Sequence, residues 1–223
     1  MGSKNKLKRF RENDTFSNVL QPSREDLLNG SPLKGNWQNH FNNNNPIVLE
    51  LGCGKGEYTI ALARKNPHIN YIGIDLKGAR FWRGAKTALE ENLTNVAFIR
   101  TQIELVDLLF AENEVSEIWI TFPDPQIKYT RTKHRLTNAE FLKKYYTVLQ
   151  PNGFVNLKTD SEFMHGYTLG LLHGAGHEVV YAHHDIYKNP HSPTEVTETQ
   201  TFYENQYLET GKPITYIKFR IRY

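Results

Sequence analysis

A closely spaced set of acids and glycines has the composition of a nucleoside-binding turn. Glu50 precedes Gly52 and Gly54 at the end of one apolar run, and Asp75 ends the next apolar run. Glycine at such a turn lets a ligand approach the backbone, because a Cβ atom there would collide with it. An acid at the end of the second strand is placed to accept hydrogen bonds from a ribose diol. The pattern therefore predicts a pocket for an adenosine nucleoside.

The spacing in this glycine turn (residues 52–56) favours a cationic ligand over a dinucleotide. A dinucleotide-binding turn has the pattern G-x-G-x-x-G and places a helix N-terminus against a pyrophosphate. Here the pattern is G-x-G-x-G, and a pyrophosphate would meet the carboxylates of Glu50 and Glu57. A sulfonium and an ammonium group suit these acids better, which indicates S-adenosylmethionine as the cofactor. A nicotinamide-dependent dehydrogenase is the least favoured interpretation.

A further acid, Asp124, lies in a stiff segment that a basic cluster follows. Pro123 and Pro125 restrict the backbone on both sides of this acid. The cluster that follows is suited to neutralising phosphates, and its members are Lys128, Arg131, Lys133, His134 and Arg135. A fixed carboxylate near a methyl donor, with a phosphate-binding segment beside it, favours a polynucleotide base as the methyl acceptor.

Alternating strand and helix patterns position these residues. Strands are predicted at 47–51, 71–75, 96–101, 117–121, 154–158, 178–184 and 214–223. Helices are predicted between and after them, at 57–65, 77–91, 103–111, 138–149, 161–173 and 197–208. This order predicts an α/β fold with a parallel sheet and helices on both faces.

The carboxyl ends of parallel strands meet at one edge of a sheet, and ligands bind in the crevice there. Gln102 follows the third predicted strand and Asp124 lies just beyond the fourth, so we expect both near the glycine turn. The amide of Gln102 can both donate and accept hydrogen bonds, which suits an adenine ring.

The composition indicates one domain with a basic extension. The chain has 223 residues and a net charge of only +3, yet five basic residues lie among its first eleven. We expect residues 1–45 to form a basic N-terminal extension and linker, and residues 46–223 to form the catalytic domain. No apolar run is long enough for a membrane span or a secretory signal, which predicts a cytoplasmic protein.

Neither a metal nor a single oligomeric state is indicated. The only cysteine, Cys53, lies inside the glycine turn, and the histidines lack ligand spacing with cysteines or carboxylates. We therefore expect no metal site. A monomer and a homodimer fit the helix patterns equally well.

Three short motifs occur in a fixed order along the chain. They are Phe122-Pro123-Asp124-Pro125 with its basic cluster, Lys158-Thr159-Asp160 after the fifth strand, and T-x-Y-E at 201–204. From residue 47 to the C-terminus the sequence resembles the bacterial tRNA (guanine-N7-)-methyltransferase family. The resemblance implies a Rossmann-like methyltransferase fold, with a mostly parallel seven-stranded sheet, helices on both faces and an antiparallel last strand. It also implies methyl transfer from S-adenosylmethionine to N7 of a guanine in tRNA, in the variable loop.

The resemblance also implies a role for each matching residue, with Asp124 as the catalytic acid. The cofactor would contact Glu50, Gly52, Gly54, Asp75, Gln102 and Asp124. The substrate would contact Lys128, Asp160, Thr201, Phe202, Tyr203 and Glu204. The RNA would contact Thr130, Arg131, Thr132, Lys133, His134 and Arg135. The chain departs from the family at Gln126, usually Trp, and at Gln102, commonly Asp or Asn.

Two other classes of function stay open at this point. An S-adenosylmethionine-dependent enzyme acting on a small molecule would explain the first half of the chain but not its basic cluster. An RNA-binding protein that has lost catalysis would explain the basic cluster. It would not explain why Glu50, Asp75 and Asp124 occur together.

Overall fold

The predicted apolar runs form the strands of one sheet in the computed structural model, which describes residues 2–223. The strands are β1 (Val19–Leu20), β2 (Ile47–Leu51), β3 (Asn70–Ile74), β4 (Val96–Ile99), β5 (Val115–Thr121), β6 (Leu149–Thr159), β7 (Glu178–His183) and β8 (Thr215–Arg220). Their order is β1-β4-β3-β2-β5-β6-β8-β7. All pairs from β1 to β6 are parallel, and β8 is antiparallel to both of its neighbours. The predicted fold is confirmed, with β1 as an additional edge strand.

The helices follow the predicted order with several changes of boundary. They are α1 (Gly2–Asn13), α2 (Arg24–Leu28), α3 (Trp37–Phe41), α4 (Glu57–Lys65), α5 (Gly78–Glu90), α6 (Val106–Leu109), α7 (Ala139–Val148), α8 (Glu162–Gly174), α9 (Thr194–Thr197) and α10 (Phe202–Glu209). Short 3-10 helices span Ile103–Leu105 and Tyr129–His134. The helix predicted at 103–111 is a 3-10 helix in its first part and an α-helix in its second. In place of the single helix predicted at 197–208 there are two helices, α9, which ends at Thr197, and α10, which begins at Phe202.

Most residues of the central strands are apolar because helices cover both faces of the sheet. All five residues of β2 and all five of β3 are buried. Leu49 and Ile72 pack on one face with α6, α7 and α8, while Val48 and Tyr71 pack on the other with α4 and α5. This two-faced burial fixes the carboxyl ends of the strands, where the predicted site residues lie.

The N-terminal segment (residues 2–45) contributes to this core. Leu27, Trp37 and Phe41 are buried in the same cluster as β2 and β3. The indole N–H of Trp37 donates to the carbonyl of Leu109 over 3.1 Å, and its ring stacks on Phe110 at 5.2 Å. These contacts hold α3 against α6.

The first helix, α1, packs on α5. The indole N–H of Trp82 donates to the carboxylate of Glu12 over 2.6 Å, and the guanidinium of Arg9 lies over the Trp82 ring at 4.8 Å. The side-chain amide of Asn13 donates to the carbonyl of Gly78 over 2.9 Å. The basic N-terminal residues are therefore carried on a helix that is anchored beside the start of α5.

Candidate active site

The glycine turn after β2 requires residues without a Cβ atom. Gly52, Gly54 and Gly56 have φ values of +77°, +56° and +75°, a region that favours glycine. A Cβ atom on Gly56 would lie 2.6 Å from the ring of Phe98. The amide of Gly84 in α5 donates to the carbonyl of Lys55 over 3.0 Å. Close packing against α5 and β4 thus gives the turn one shape. A Cβ atom on Gly52 would lie 3.8 Å from Leu136, and one on Gly54 would meet no atom within 4 Å.

Asp75 follows β3 beside this turn, as predicted. One of its carboxylate oxygens accepts from the amide of Gly54 over 3.0 Å, and the other accepts from the amide of Lys77 over 2.7 Å. A carboxylate has about four acceptor positions, so this one retains capacity for the two hydroxyl groups of a ribose.

Glu50 lies beneath the turn and is only 4% exposed. One carboxylate oxygen accepts from the amide of Thr59 over 2.8 Å and from its hydroxyl, and the other accepts from the hydroxyl of Thr121 over 2.5 Å. Burial raises the pKa of Glu50 to about 7, against the opposing effect of these hydrogen bonds. Glu50 therefore ties the ends of β2 and β5 to the start of α4.

The wild type should become less stable as pH rises, because Glu50 must lose its proton inside the protein. Replacing Glu50 with glutamine should remove this pH dependence. With a folded pKa raised from 4.5 to about 7, the folded state binds more protons than the unfolded state in that interval. The free energy of unfolding therefore falls there, by up to about 3 kcal/mol. Urea unfolding at pH 5 and pH 8 should show a smaller fall for Glu50→Gln, whereas the exposed control Glu140→Gln should follow the wild type. An equal fall in both variants would contradict this assignment.

Two cavities flank the end of β3. A cavity of about 110 Å³ lies over the glycine turn and is lined by Glu50, Cys53, Tyr58, Arg80, Phe122 and Tyr203, among others. A cavity of about 490 Å³ is lined by Leu76, Thr101 and Gln102 and also by residues 21–24 of the N-terminal segment. The guanidinium of Arg24 donates to the side-chain oxygen of Gln102 over 3.2 Å. No sequence pattern predicted that residues 21–24 reach the site, because they lie about 80 positions from Gln102.

Asp124 is exposed at the centre of a loop (residues 122–126) with an unusual backbone. Phe122 and Gln126 have positive φ values of +48° and +47°, which non-glycine residues adopt only at a cost in energy. The side-chain amide of Gln126 donates to one oxygen of Asp124 over 3.0 Å, and its backbone amide donates to the other over 3.3 Å. Gln126, where the family usually has Trp, thus orients the Asp124 carboxylate. Phe122, two residues before Asp124, lines the cavity over the glycine turn, so this loop adjoins the cavity.

Arg135 differs from the other basic residues because it is only 6% exposed. Its guanidinium donates to the carbonyls of Gln126 and Ile127 over 3.1 and 3.2 Å. It also lies over the rings of Phe163 and Tyr167 in α8, at 4.8 and 4.4 Å. We propose that Arg135 holds the Asp124 loop in place of the direct RNA contact that the resemblance implies. Its neighbours in the 3-10 helix, Thr130, Arg131, Lys133 and His134, are exposed, and Thr132 is half-buried.

A buried ion pair joins two of the predicted motifs. Lys158 and Glu204 have fully buried side chains, and their charged atoms are 2.6 Å apart. The ammonium also donates to the carbonyl of Thr199 over 2.9 Å, and the hydroxyl of Tyr187 donates to Glu204 over 2.7 Å. Burial lowers the pKa of Lys158, and Glu204 opposes that effect. The geometry assigns Glu204 to the interior in place of the predicted substrate contact.

The other residues of the T-x-Y-E motif divide between two environments. Thr201 and Glu204 cap α10, because each side chain accepts from the backbone amide of the other. Phe202 and Tyr203 are about half exposed, and Tyr203 lines the cavity over the glycine turn. The predicted substrate contacts are therefore accessible at Phe202 and Tyr203.

The remaining predicted residues lie at the same edge of the sheet. Asp160 follows β6 and forms an ion pair with Lys212, and Lys128 is exposed at the start of the 3-10 helix. Throughout residues 2–223, no three His, Cys, Asp or Glu side chains are grouped so that they could hold a metal ion. In the same residues no helix has the length and apolar character needed to cross a bilayer.

Several solved structures with this fold are described as methyltransferases. A 16S rRNA methyltransferase, KamB, matches with a TM-score of 0.60 at 15% identity, over 80% of this chain and 89% of its own. A 30S ribosomal A1408 methyltransferase from an uncultured bacterium matches with a TM-score of 0.57 at 15% identity, over 84% and 93% of the two chains. A family model described as "Putative methyltransferase" matches residues 44–217. The fold and the acids at its strand ends define a Rossmann-like, S-adenosylmethionine-dependent methyltransferase.

Relatives with similar sequences identify the family within this class of methyltransferases. A tRNA (guanine-N(7)-)-methyltransferase of Christiangramia forsetii is 75% identical over the whole of both chains. The chain belongs to the tRNA (guanine-N(7)-)-methyltransferase family. More distant relatives with the same description include those of Porphyromonas gingivalis, 50% identical over 92% of this chain and 85% of its own, and Levilactobacillus brevis, 36% identical over 83% and 85%.

Proposed function

We propose that this enzyme transfers a methyl group from S-adenosylmethionine to N7 of a guanine in the variable loop of tRNA, in the cytoplasm. One observation carries the proposal: the loop that orients Asp124 adjoins the cavity over the glycine turn at Phe122 and leads into an exposed basic 3-10 helix. The names of relatives up to 75% identical support the same substrate.

The residues around the glycine turn suit S-adenosylmethionine. Asp75 would accept from the ribose hydroxyls, and the backbone of Gly52 and Gly54 would lie against the methionine part. The cavity beside Leu76 and Gln102 would hold the adenine ring. When bound, the cofactor would supply an electrophilic methyl group on a sulfonium, whose positive charge suits the acids beside the glycine turn.

Guanine N7 carries an available lone pair, so the acceptor needs no deprotonation before it attacks the methyl group. Catalysis then depends mainly on in-line positioning, which supplies at most about 7–11 kcal/mol of the barrier reduction. Positive charge develops on the purine during attack, and the Asp124 carboxylate would stabilise it and accept from N–H groups of the base. Asp160, after the neighbouring strand β6, would contribute a second acceptor, and Lys128 would contact a phosphate.

The exposed members of the basic 3-10 helix should bind the RNA backbone. Replacing Arg131 and Lys133 together with glutamine should weaken tRNA binding. The slope of log K against log salt concentration should fall by about 1.4 to 1.8, the value for two phosphate contacts. Titration of tRNA at several salt concentrations measures both effects. A variant with the affinity and slope of the wild type would exclude these residues from the interface.

Methyl transfer from labelled S-adenosylmethionine to an unmodified tRNA transcript, followed by nucleoside mass spectrometry, tests the proposed function. The expected product is 7-methylguanosine, and mapping by fragment digestion should place it in the variable loop. Cofactor binding without a modified nucleoside would overturn the proposal and favour the small-molecule alternative.

A further inference from the structure

A second basic surface lies beside the cavity over the glycine turn, away from the basic 3-10 helix. It is a groove of about 450 Å³ between α4, α5 and the start of α10. Its walls include Lys55, Arg83, Gln200, Phe202 and Asn205. Lys55 lines both this groove and the cavity over the glycine turn, so the two are continuous.

Two cations in this groove are available to an anion. Among the residues that the structure describes, neither Lys55 nor Arg83 has a carboxylate within 4.0 Å. Arg64, also in the groove, is held by Glu91 through two hydrogen bonds of 2.5 and 2.6 Å. Glu57 accepts from the backbone amide of Phe202 over 3.1 Å. That amide is neutral, so the negative charge of Glu57 remains in the groove. Lys55 and Arg83 outnumber it, and the net charge of the groove is positive.

An aromatic ring lies next to these cations. The side chain of Phe202 is 50% exposed, and the ammonium of Lys55 lies 4.0 Å from its ring centroid. RNA-binding surfaces combine cations that contact phosphates with aromatic rings on which unpaired bases stack. The amides of Gln200 and Asn205 add hydrogen-bonding groups beside the ring.

We propose that this groove binds the RNA nucleotide next to the methylated guanine, with its phosphate on Lys55 and Arg83 and its base on Phe202. The inference rests on the proposed function, because the groove shares Lys55 with the cavity beside which the cofactor and the guanine would meet. The groove lies on the sheet face covered by α4 and α5, whereas Arg135 anchors the basic 3-10 helix to α8 on the other face. The RNA strand is therefore bound from both faces of the sheet.

Direct binding of an unmodified tRNA transcript, measured by fluorescence anisotropy at several salt concentrations, tests the groove. Arg83→Gln should weaken tRNA binding about tenfold, as expected for one charged contact, and should lower the salt slope by about 0.7 to 0.9. Lys143→Gln is the matched control, since it removes the same charge from an exposed position on α7. Its tRNA affinity and salt slope should equal those of the wild type.

A second variant separates stacking from charge. Phe202→Leu should weaken tRNA binding by about tenfold, as for the loss of one stacked base, and leave the salt slope unchanged. Equal tRNA affinities for Arg83→Gln, Lys143→Gln and the wild type would overturn the proposal that this groove binds RNA. The methylation assay tests the proposed function separately. If the proposed function is wrong, the wild-type protein will yield no 7-methylguanosine.

Discussion

Replacing Asp124 with asparagine should lower kcat by about 100-fold or more, the usual effect of losing one preorganised charged group in an active site. Asparagine keeps the size of the side chain and can still accept from the amide of Gln126. It carries no charge to stabilise the positive charge that develops on the guanine. The dissociation constant for S-adenosylmethionine should change far less, because in the proposed site Asp75 and the glycine turn would make most of the cofactor contacts. Single-turnover methylation of tRNA and equilibrium cofactor binding measure the two effects.

A control variant tests orientation separately from charge. Gln126→Leu keeps the Asp124 carboxylate but removes the side-chain amide that donates to it over 3.0 Å. We expect a loss of kcat smaller than that of Asp124→Asn, with the same cofactor affinity as the wild type. If Asp124→Asn turned over tRNA at the wild-type rate, Asp124 would have no part in the mechanism.

Replacing Glu204 with leucine should lower the free energy of unfolding by about 3–5 kcal/mol, because it leaves the buried ammonium of Lys158 without its charge partner. Lys158 is fully buried and retains only the carbonyl of Thr199 as an acceptor. Chemical denaturation measures this loss. Exposed ion pairs contribute far less, about 0–1 kcal/mol, so Glu198→Gln, which breaks the exposed pair with Lys65, is a suitable control.

The double variant Lys158→Met with Glu204→Leu separates stability from substrate recognition. Replacing both members of a buried pair with apolar residues is often neutral or stabilising, so the free energy of unfolding should recover. Methyl transfer should recover with it if Glu204 acts only inside the protein. A stable double variant with a raised KM for tRNA would instead assign to Glu204 the substrate contact that the family resemblance implies.

Patterns within short stretches of sequence predicted much of the architecture. The apolar runs ending at Leu51 and Ile74 are buried on both faces, which makes them continuous and easily recognised. The glycine turn and Asp75 predicted where the cavity over that turn lies. Glycines are informative there because few other residues tolerate a backbone with positive φ. The strand Val19–Leu20 has only two residues, too few to form a pattern.

Contacts between distant residues were beyond prediction from the sequence. Lys158 and Glu204 look like accessible charges in their motifs, and only the packing of α10 over β6 buries them together. Arg135 belongs to a basic cluster by sequence, yet its guanidinium is directed inward by two carbonyls and two aromatic rings. Sequence gives the charge of a residue, whereas the tertiary fold decides whether that charge faces solvent.

The left-handed backbone at Phe122 and Gln126 has a consequence for how this enzyme can evolve. Each such residue costs about 1–3 kcal/mol of folding free energy, which the surrounding packing offsets. Random substitutions that relax this loop would raise the melting temperature and, by moving Asp124, slow methylation. Selection for heat tolerance alone would therefore favour substitutions in this loop, whereas selection for activity would remove them. Thermostable relatives should have gained their stability from substitutions elsewhere in the chain.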